Sequence, residues 1–133
     1  MNNEKSCLNI VIPVSLGELI DKITILEIKK EKMKENQKLI NINKELESLK
    51  KIVVSENLNI DSSLITELKK INNILWEIED EIRSKEHKKE FDHGFIKLAR
   101  SVYKENDKRA SIKKEINYTY NSELIEEKYY RSN

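Results

Sequence analysis

The hydrophobic and polar residues of this chain alternate as they do in long amphipathic helices. Between residues 64 and 82 the aliphatic side chains return at spacings of 4-3-4-3-4, which places them on one face of a helix, as in a coiled-coil seam. The residues of this seam are Leu64, Leu68, Ile71, Leu75, Ile78 and Ile82. The pattern predicts a helix that packs one apolar stripe against a neighbour and ends or bends in the polar run 84–90.

A second helix is predicted from residue 16 to about residue 34. It begins at SLGE (15–18), a capping box in which Ser15 accepts from the backbone N–H of Glu18 and the Glu18 carboxylate accepts from that of Ser15. Apolar residues cover more than half of its first three turns, so neighbours are expected on more than one side. The polar KENQ at 34–37 interrupts the pattern before it resumes as far as Val53, which predicts either a kink or a short turn.

The rest of the chain adds two predicted helices and an arm. SENLNIDSS (55–63) reads as a loop in which Asp61 is the N-cap of the 64–82 helix. Apolar spacing predicts another helix over about 91–120, with a weak point at Asn106 and Asp107, and a short helix from Ser122. LNIVIPV (8–14) is rich in β-branched residues, which predicts an extended arm or an edge strand.

These elements predict an all-α protein, an antiparallel bundle of three to four long helices with a short N-terminal extended arm. We expect one domain over residues 1–133, in which 1–14 form the arm, 15–120 the bundle and 121–133 a C-terminal tail. Two protomers could bury seam positions that one thin bundle leaves open, so a homo-oligomer, most simply a dimer, is expected.

Composition narrows the functional classes. Lys and Arg number 25 and Asp and Glu 24, and this balance argues against a dedicated nucleic-acid binder. No apolar run approaches the ~20 residues of a membrane span, and the first residues lack the basic region and cleavage site of a signal peptide. Cys7 is the only cysteine, which rules out an internal disulfide and fits a reducing compartment. We therefore expect a cytoplasmic protein with neither a nucleic-acid nor a membrane partner.

A polar row beside the 64–82 seam is the first candidate for chemistry. Its members are Asn72, Trp76, Glu79 and Arg83, at spacings of 4, 3 and 4. One interpretation is a Glu79–Arg83 ion pair with Trp76 half-buried against a neighbour. The other is the wall of a pocket.

Two further polar rows lie on the 91–120 helix. They are Arg100, Tyr103 and Asp107, and Asn106, Arg109 and Lys113. The chain has four arginines and 21 lysines, so an arginine beside an apolar seam suggests bidentate pairing with carboxylates of the chain or with an anionic ligand. The candidate ligand-binding residues are Trp76, Glu79, Asp80, Arg83, Arg100, Tyr103, Asp107, Arg109 and Lys113.

Glu18 and Asp21 form a like-charge pair at the start of the first helix. The helix dipole and Lys22 offset their repulsion, which is the interpretation adopted here. Alternatively, these acids could hold a divalent ion together with Glu79. On the first interpretation no metal site and no cofactor is predicted, and no catalytic residue is recognisable.

Four segments together resemble a small bacterial family of unknown function, found in places near polysaccharide or glycosyltransferase genes. The segments are PVSLGELIDKITILEIKKEKM (13–33), LWEIEDEIR (75–83), FDHGFIKLARSVYKENDKRASIKKEIN (91–117) and LIEEKYY (124–130). The resemblance implies an all-helical cytoplasmic protein and carries no activity, cofactor or site residue.

Two functional hypotheses follow. The first is a helical binding or assembly module, with a possible protein partner and, from the resemblance alone, a link to cell-surface polysaccharide synthesis. The second is an enzyme or binder that acts on a small anionic ligand in a cleft between helices lined by arginines and carboxylates.

Overall fold

The computed structural model describes residues 6–130, so residues 1–5 of the predicted arm and 131–133 of the predicted tail lie outside the described residues. The described residues fold into four helices and contain no strand, which confirms the all-α bundle. The helices are α1 (Leu16–Lys32), α2 (Asn36–Ser55), α3 (Ser62–Lys88) and α4 (His93–Thr119).

Short side chains fix the first residue of three helices. Ser15 accepts from the backbone N–H of Glu18 at 3.2 Å and begins α1 as predicted. Asp61 accepts from Ser63 and begins α3, also as predicted. Asp92 caps α4 by accepting from Phe95, and this cap was not recognised in the sequence.

Four boundary predictions can be compared with the structure. The interruption near 34–37 is a short turn at residues 33–35. α4 continues unbroken through Asn106 and Asp107, whereas α3 ends at Lys88, inside the polar run 84–90 as predicted. The predicted helix from Ser122 was wrong: the Ser122 hydroxyl accepts from the N–H of Leu16 at 3.0 Å and donates to the carbonyl of Leu124, so it completes the start of α1 instead.

α1 is the centre of the bundle, because it packs against each of the other three helices. This explains why its apolar residues cover more than half of its circumference. α3 and α4 form an antiparallel hairpin, and α1 lies on that hairpin with α2 on its far side. The buried core comprises Leu19, Ile20, Ile23, Leu26, Ile42, Leu46, Leu68, Ile71, Ile112 and Ile116.

Burial is uneven along the hairpin. α3 has no fully buried side chain after Ile78, and α4 has none before Ile112. In this distal part only two helices pack together, because the central helix ends at Lys32. Within residues 6–130, none of the helices combines the length and the apolar character that a bilayer span needs.

Candidate functional site

An open cleft of about 640 Å³ lies where α1, α3 and α4 meet. Five of the nine predicted site residues line it, four from α3 and one from α4: Trp76, Glu79, Asp80, Arg83 and Arg109. The polar row of α3 therefore lines this cleft, and it also contains the Glu79–Arg83 ion pair beside a half-buried Trp76, so both interpretations of the row fit. The other lining residues are Asn72 and Asn106, which belong to the predicted polar rows, and Ile25, Ile28 and Leu75.

The cleft has an apolar side and a charged side. The half-buried Trp76 stands with the half-buried Ile25 and Leu75, over the buried Ile28, which gives a ligand an aromatic and aliphatic surface. On the charged side the Arg83 Nε lies 3.8 Å from a Glu79 oxygen. Both side chains are mostly exposed, so this ion pair is weak and leaves the two groups open to other partners.

A buried carboxylate lies beneath this cleft. Asp21 has no exposed surface and accepts hydrogen bonds from the Asn72 amide at 2.9 Å and from Arg109 Nε at 3.0 Å. A terminal nitrogen of Arg109 donates to the second Asp21 oxygen, which completes a bidentate pair. The Asn72 amide also donates to the Thr24 hydroxyl at 3.0 Å. One carboxylate of α1 thus holds side chains of both hairpin helices.

Arg109 consequently has an internal partner. The hydrogen bonds that Arg109 donates to Asp21 raise the pKa of the Arg109 guanidinium above its ordinary value, against the opposing effect of burial. The third guanidinium nitrogen points towards the Asn106 side-chain oxygen at 3.4 Å. Asp21 therefore neutralises Arg109 on the side away from the cleft, and only one edge of the guanidinium faces the cleft.

Lys113 is also paired within the chain. Its Nζ lies 2.7 Å from a Glu18 oxygen, 2.8 Å from a Glu126 oxygen and 3.8 Å from Asp21. Burial lowers the pKa of Lys113, but the hydrogen bonds to Glu126 and Glu18 outweigh this and hold it above its usual value. The Glu18 carboxylate is bound to α4, so the capping box keeps only its Ser15 half.

The predicted alternative of a divalent ion is not supported. Glu18 and Asp21 are bound to cations of α4, whereas Glu79 lies in the cleft. No cluster of three or more His, Cys, Asp or Glu side chains able to hold a metal forms within residues 6–130.

The structure separates the two polar rows of α4. Asn106, Arg109 and Lys113 turn towards α1, but the neighbouring strip of the helix faces solvent. On that strip Arg100 and Tyr103 are exposed and do not line the cleft. Asp107 is exposed and pairs with Lys128 at 3.3 Å. These three predicted residues are therefore not brought to the site, because α1 covers only one side of α4.

Most of this geometry has no local signal in the sequence. Asn72 belongs to the recognised α3 row and Asn106 to the recognised α4 row, so both could have been included. Ile25 and Ile28 were interpreted as part of an ordinary core stripe. Nothing near them in the chain shows that α1 ends beside an open cleft.

A family model matches residues 10–133, which is most of the chain. No match was found among the curated proteins, and none among the solved structures. The match confirms the resemblance to a family of unknown function inferred from the four segments. The chain belongs to the family of unknown function DUF6165.

Proposed function

We propose that this protein is a helical binding module and that its cleft between α1, α3 and α4 holds a small ligand. The observation that carries the proposal is the convergence of an indole, two guanidinium groups, two carboxylates and two amides beside an aliphatic surface. A concave apolar surface with a few polar groups is the usual form of a small-molecule site.

The charges favour a ligand without a strong negative charge. Arg83 and Arg109 are balanced by Glu79 and Asp80, and Asp21 already binds Arg109 from behind. An anion such as phosphate requires a positive excess, so this balance weakens the alternative of a small anionic ligand. A ligand with one flat apolar face and several hydroxyl groups fits better. It could stack on the indole and hydrogen-bond to the charged side.

Such a ligand agrees with the link to cell-surface polysaccharide synthesis that the sequence resemblance implies. That link is part of the proposal and rests on the resemblance alone. The proposal assigns no reaction, because no catalytic group is recognised in the cleft. The proposed location is the cytoplasm, in agreement with the exposed, unpaired thiol of Cys7.

Trp76 makes the cleft easy to test, since it is the only tryptophan in the chain and its fluorescence reports on this site alone. We would titrate the protein with neutral mono- and disaccharides, sugar nucleotides and inorganic phosphate. Asp80→Asn and Arg83→Gln should each weaken binding about tenfold by removing one polar contact. Arg100→Gln is the matched control and should bind as the wild type does.

Two results would contradict this proposal. If no probe changes the fluorescence or the melting temperature, the cleft is not a site for these ligands. If phosphate binds and neutral sugars do not, the anionic-ligand alternative replaces the proposal.

Self-association is a second proposal, supported by the distal part of the hairpin. There Ile82, Leu98 and Val102 are only half-buried, and Ile96 and Tyr103 are exposed. A second copy or another protein partner would remove such surface from water. Sedimentation velocity over a hundredfold range of concentration should show a mass that rises to that of a dimer.

A further inference from the structure

The arm at residues 8–14 is the most exposed apolar segment of the described chain. Leu8 is 87% exposed and Val11 85%, and Ile10 and Ile12 are exposed as well. Residues 6–14 carry no charge, although charged residues make up 37% of the protein. An uncharged aliphatic run on the surface marks a site of interaction.

The arm also has free backbone groups and one wholly aliphatic face. No backbone hydrogen bond joins residues 8–14 to the other described residues. In an extended chain, the even positions 8, 10, 12 and 14 lie on one face, and all four are aliphatic. The odd positions carry Asn9, Val11 and Pro13 and form a mixed face. This is the pattern of a strand without a partner.

We propose that the arm pairs with the arm of a second copy as an antiparallel two-stranded ribbon centred on Ile10. This surface is separate from the ligand cleft. Residues directly opposite each other in an antiparallel pair point to the same face of the ribbon. The two aliphatic faces therefore coincide only when even-numbered residues of one arm lie opposite even-numbered residues of the other. Centring on Ile10 pairs Leu8 with the partner's Ile12 and keeps Pro13, which cannot donate, outside the central ladder.

A second copy fits this arm for three reasons. The pairing is two-fold symmetric, as closed dimers require. Neither strand brings a charge that would repel its identical partner. The aliphatic face is also continued by the body of the protein, because Val14 lines a groove of about 370 Å³ with Leu124 and Ile125, and Glu18 and Glu126 lie at the same groove. The aliphatic part of that groove adds apolar cover to a ribbon that would be marginal alone.

Disulfide trapping tests the register. In a Cys7→Ser background, Ile10→Cys places the two new thiols opposite each other, so mild oxidation should give a covalent dimer. The native Cys7 is the matched control. Its two copies would lie about 20 Å apart, six residue steps along the ribbon, and should not crosslink. Equal crosslinking at both positions, or none at position 10, would overturn the proposal.

Charge insertion tests the surface independently. Ile10→Lys places two like charges at the symmetry axis, so it should weaken dimerisation at least tenfold. The melting temperature of the monomer should not change, since the side chain of Ile10 is exposed. Val54→Lys, an exposed aliphatic of α2, is the matched control and should leave the mass unchanged.

Ile96→Lys separates this proposal from the hairpin as a route to self-association. If Ile96→Lys dissociates the dimer and Ile10→Lys does not, the arm proposal is refuted and self-association through the hairpin remains. A wild-type protein that stays monomeric at all concentrations refutes both. Neither result bears on ligand binding in the cleft, which is measured separately by fluorescence.

Discussion

Asp21 lies without access to water between two cations, and its charge is compensated only by side chains from other helices. Arg109 binds it in two places and Lys113 lies at 3.8 Å. Such a group contributes little net stability when it is satisfied, but removing one partner leaves a buried charge without compensation. Its main effect is on specificity, because α1 must meet α3 and α4 in one arrangement to satisfy it.

Arg109→Ala should therefore destabilise the protein strongly. We expect the free energy of unfolding to fall by about 3 kcal/mol, at the low end of the range for broken buried pairs, because Arg109 is partly exposed. Chemical denaturation measures this change. Arg100→Ala, an exposed arginine of the same helix, should change stability by less than ~0.5 kcal/mol. Similar losses in both variants would show that Asp21 does not depend on Arg109.

Glu105 is the opposite case, a charged residue that the fold does not fully accommodate. Its Oε1 lies 3.1 Å from Lys108, but its Oε2 is buried and has no hydrogen-bond partner among residues 6–130. Glu105→Met should stabilise the protein by about 1 kcal/mol, because it removes an unsatisfied buried oxygen. Glu115→Met, at an exposed position of the same helix, is the control and should be neutral. Destabilisation by Glu105→Met would mean that the oxygen has a partner.

Residue-scale chemistry was the least predictable from the sequence. The helical repeat showed that Arg109 and Lys113 share a face, and bidentate pairing of the arginine was anticipated. The partners could not be named, since Asp21 is 88 residues from Arg109 and the chain contains 24 acids. Only the packing of α1 on α4 selects one of them.

At the scale of elements, α1 and α4 are joined by an unusually close backbone contact. A Cβ at Gly17 would lie 2.4 Å from the carbonyl oxygen of Lys113, which is fixed in a helix and cannot move aside. The Gly17 N–H also donates to the Asn117 side chain at 2.6 Å. Only glycine permits the two helices to approach this closely.

Gly17→Ala should separate α1 from α4. We expect a loss of about 2 kcal/mol, typical of overpacking, measured by thermal or chemical unfolding. Gly94→Ala is the matched control, because its nearest neighbour is the flexible end of Lys85 and alanine favours helices. It should be neutral or stabilising. Equal effects at both glycines would argue against the close contact.

The capping of α4 predicts a dependence on pH. The hydrogen bond that Asp92 accepts from the Phe95 N–H holds the pKa of Asp92 below its ordinary value of 3.8, and the hydrogen bond from Lys85 adds a smaller effect in the same direction. The folded state therefore favours the carboxylate, and its hydrogen bonds stabilise the protein at pH values above the ordinary pKa. That stabilisation is lost as the pH falls through the lower pKa that Asp92 has in the folded protein. Asp92→Asn should melt below the wild type at pH 7, and the gap should close as the pH falls through the lowered pKa of Asp92. Glu47→Gln, an exposed acid of α2, should show no such gap.

Helix starts were predictable where a cap precedes a clear apolar repeat, as at Ser15 and Asp61. The tail was not, although Ser122 offers the same kind of signal. A capping serine can serve any nearby helix start, and here it serves Leu16, 106 residues away. Local sequence cannot distinguish these uses.

The whole molecule has one thick end and one thin end. Next to α1 the hairpin contains the buried residues Leu68, Ile71, Ile112 and Ile116, whereas its distal part has only half-buried contacts. The sequence predicted the seams of both helices. It did not predict this gradient, because the apolar repeat continues where the third helix has already ended.

Hydrogen exchange should follow that gradient. Partial opening should expose the amides of α3 after residue 82 and those of α4 before residue 102. The free energy of opening should be lower there than for amides around residues 68–72 and 112–117. Native-state exchange followed by mass spectrometry measures this. Uniform protection along the hairpin would contradict it, and would indicate that a partner covers the distal part.

The hydrogen bonds that close the start of α1 have a consequence for synthesis on the ribosome. Leu16 and Gly17 emerge early, but their acceptors are the side chains of Ser122 and Asn117. Asp21 is likewise synthesised before Asn72 and Arg109, the residues that donate hydrogen bonds to its carboxylate. α1 is thus synthesised before the residues that secure it, and until residue 122 has left the tunnel its apolar surface lacks partners that it has in the folded protein.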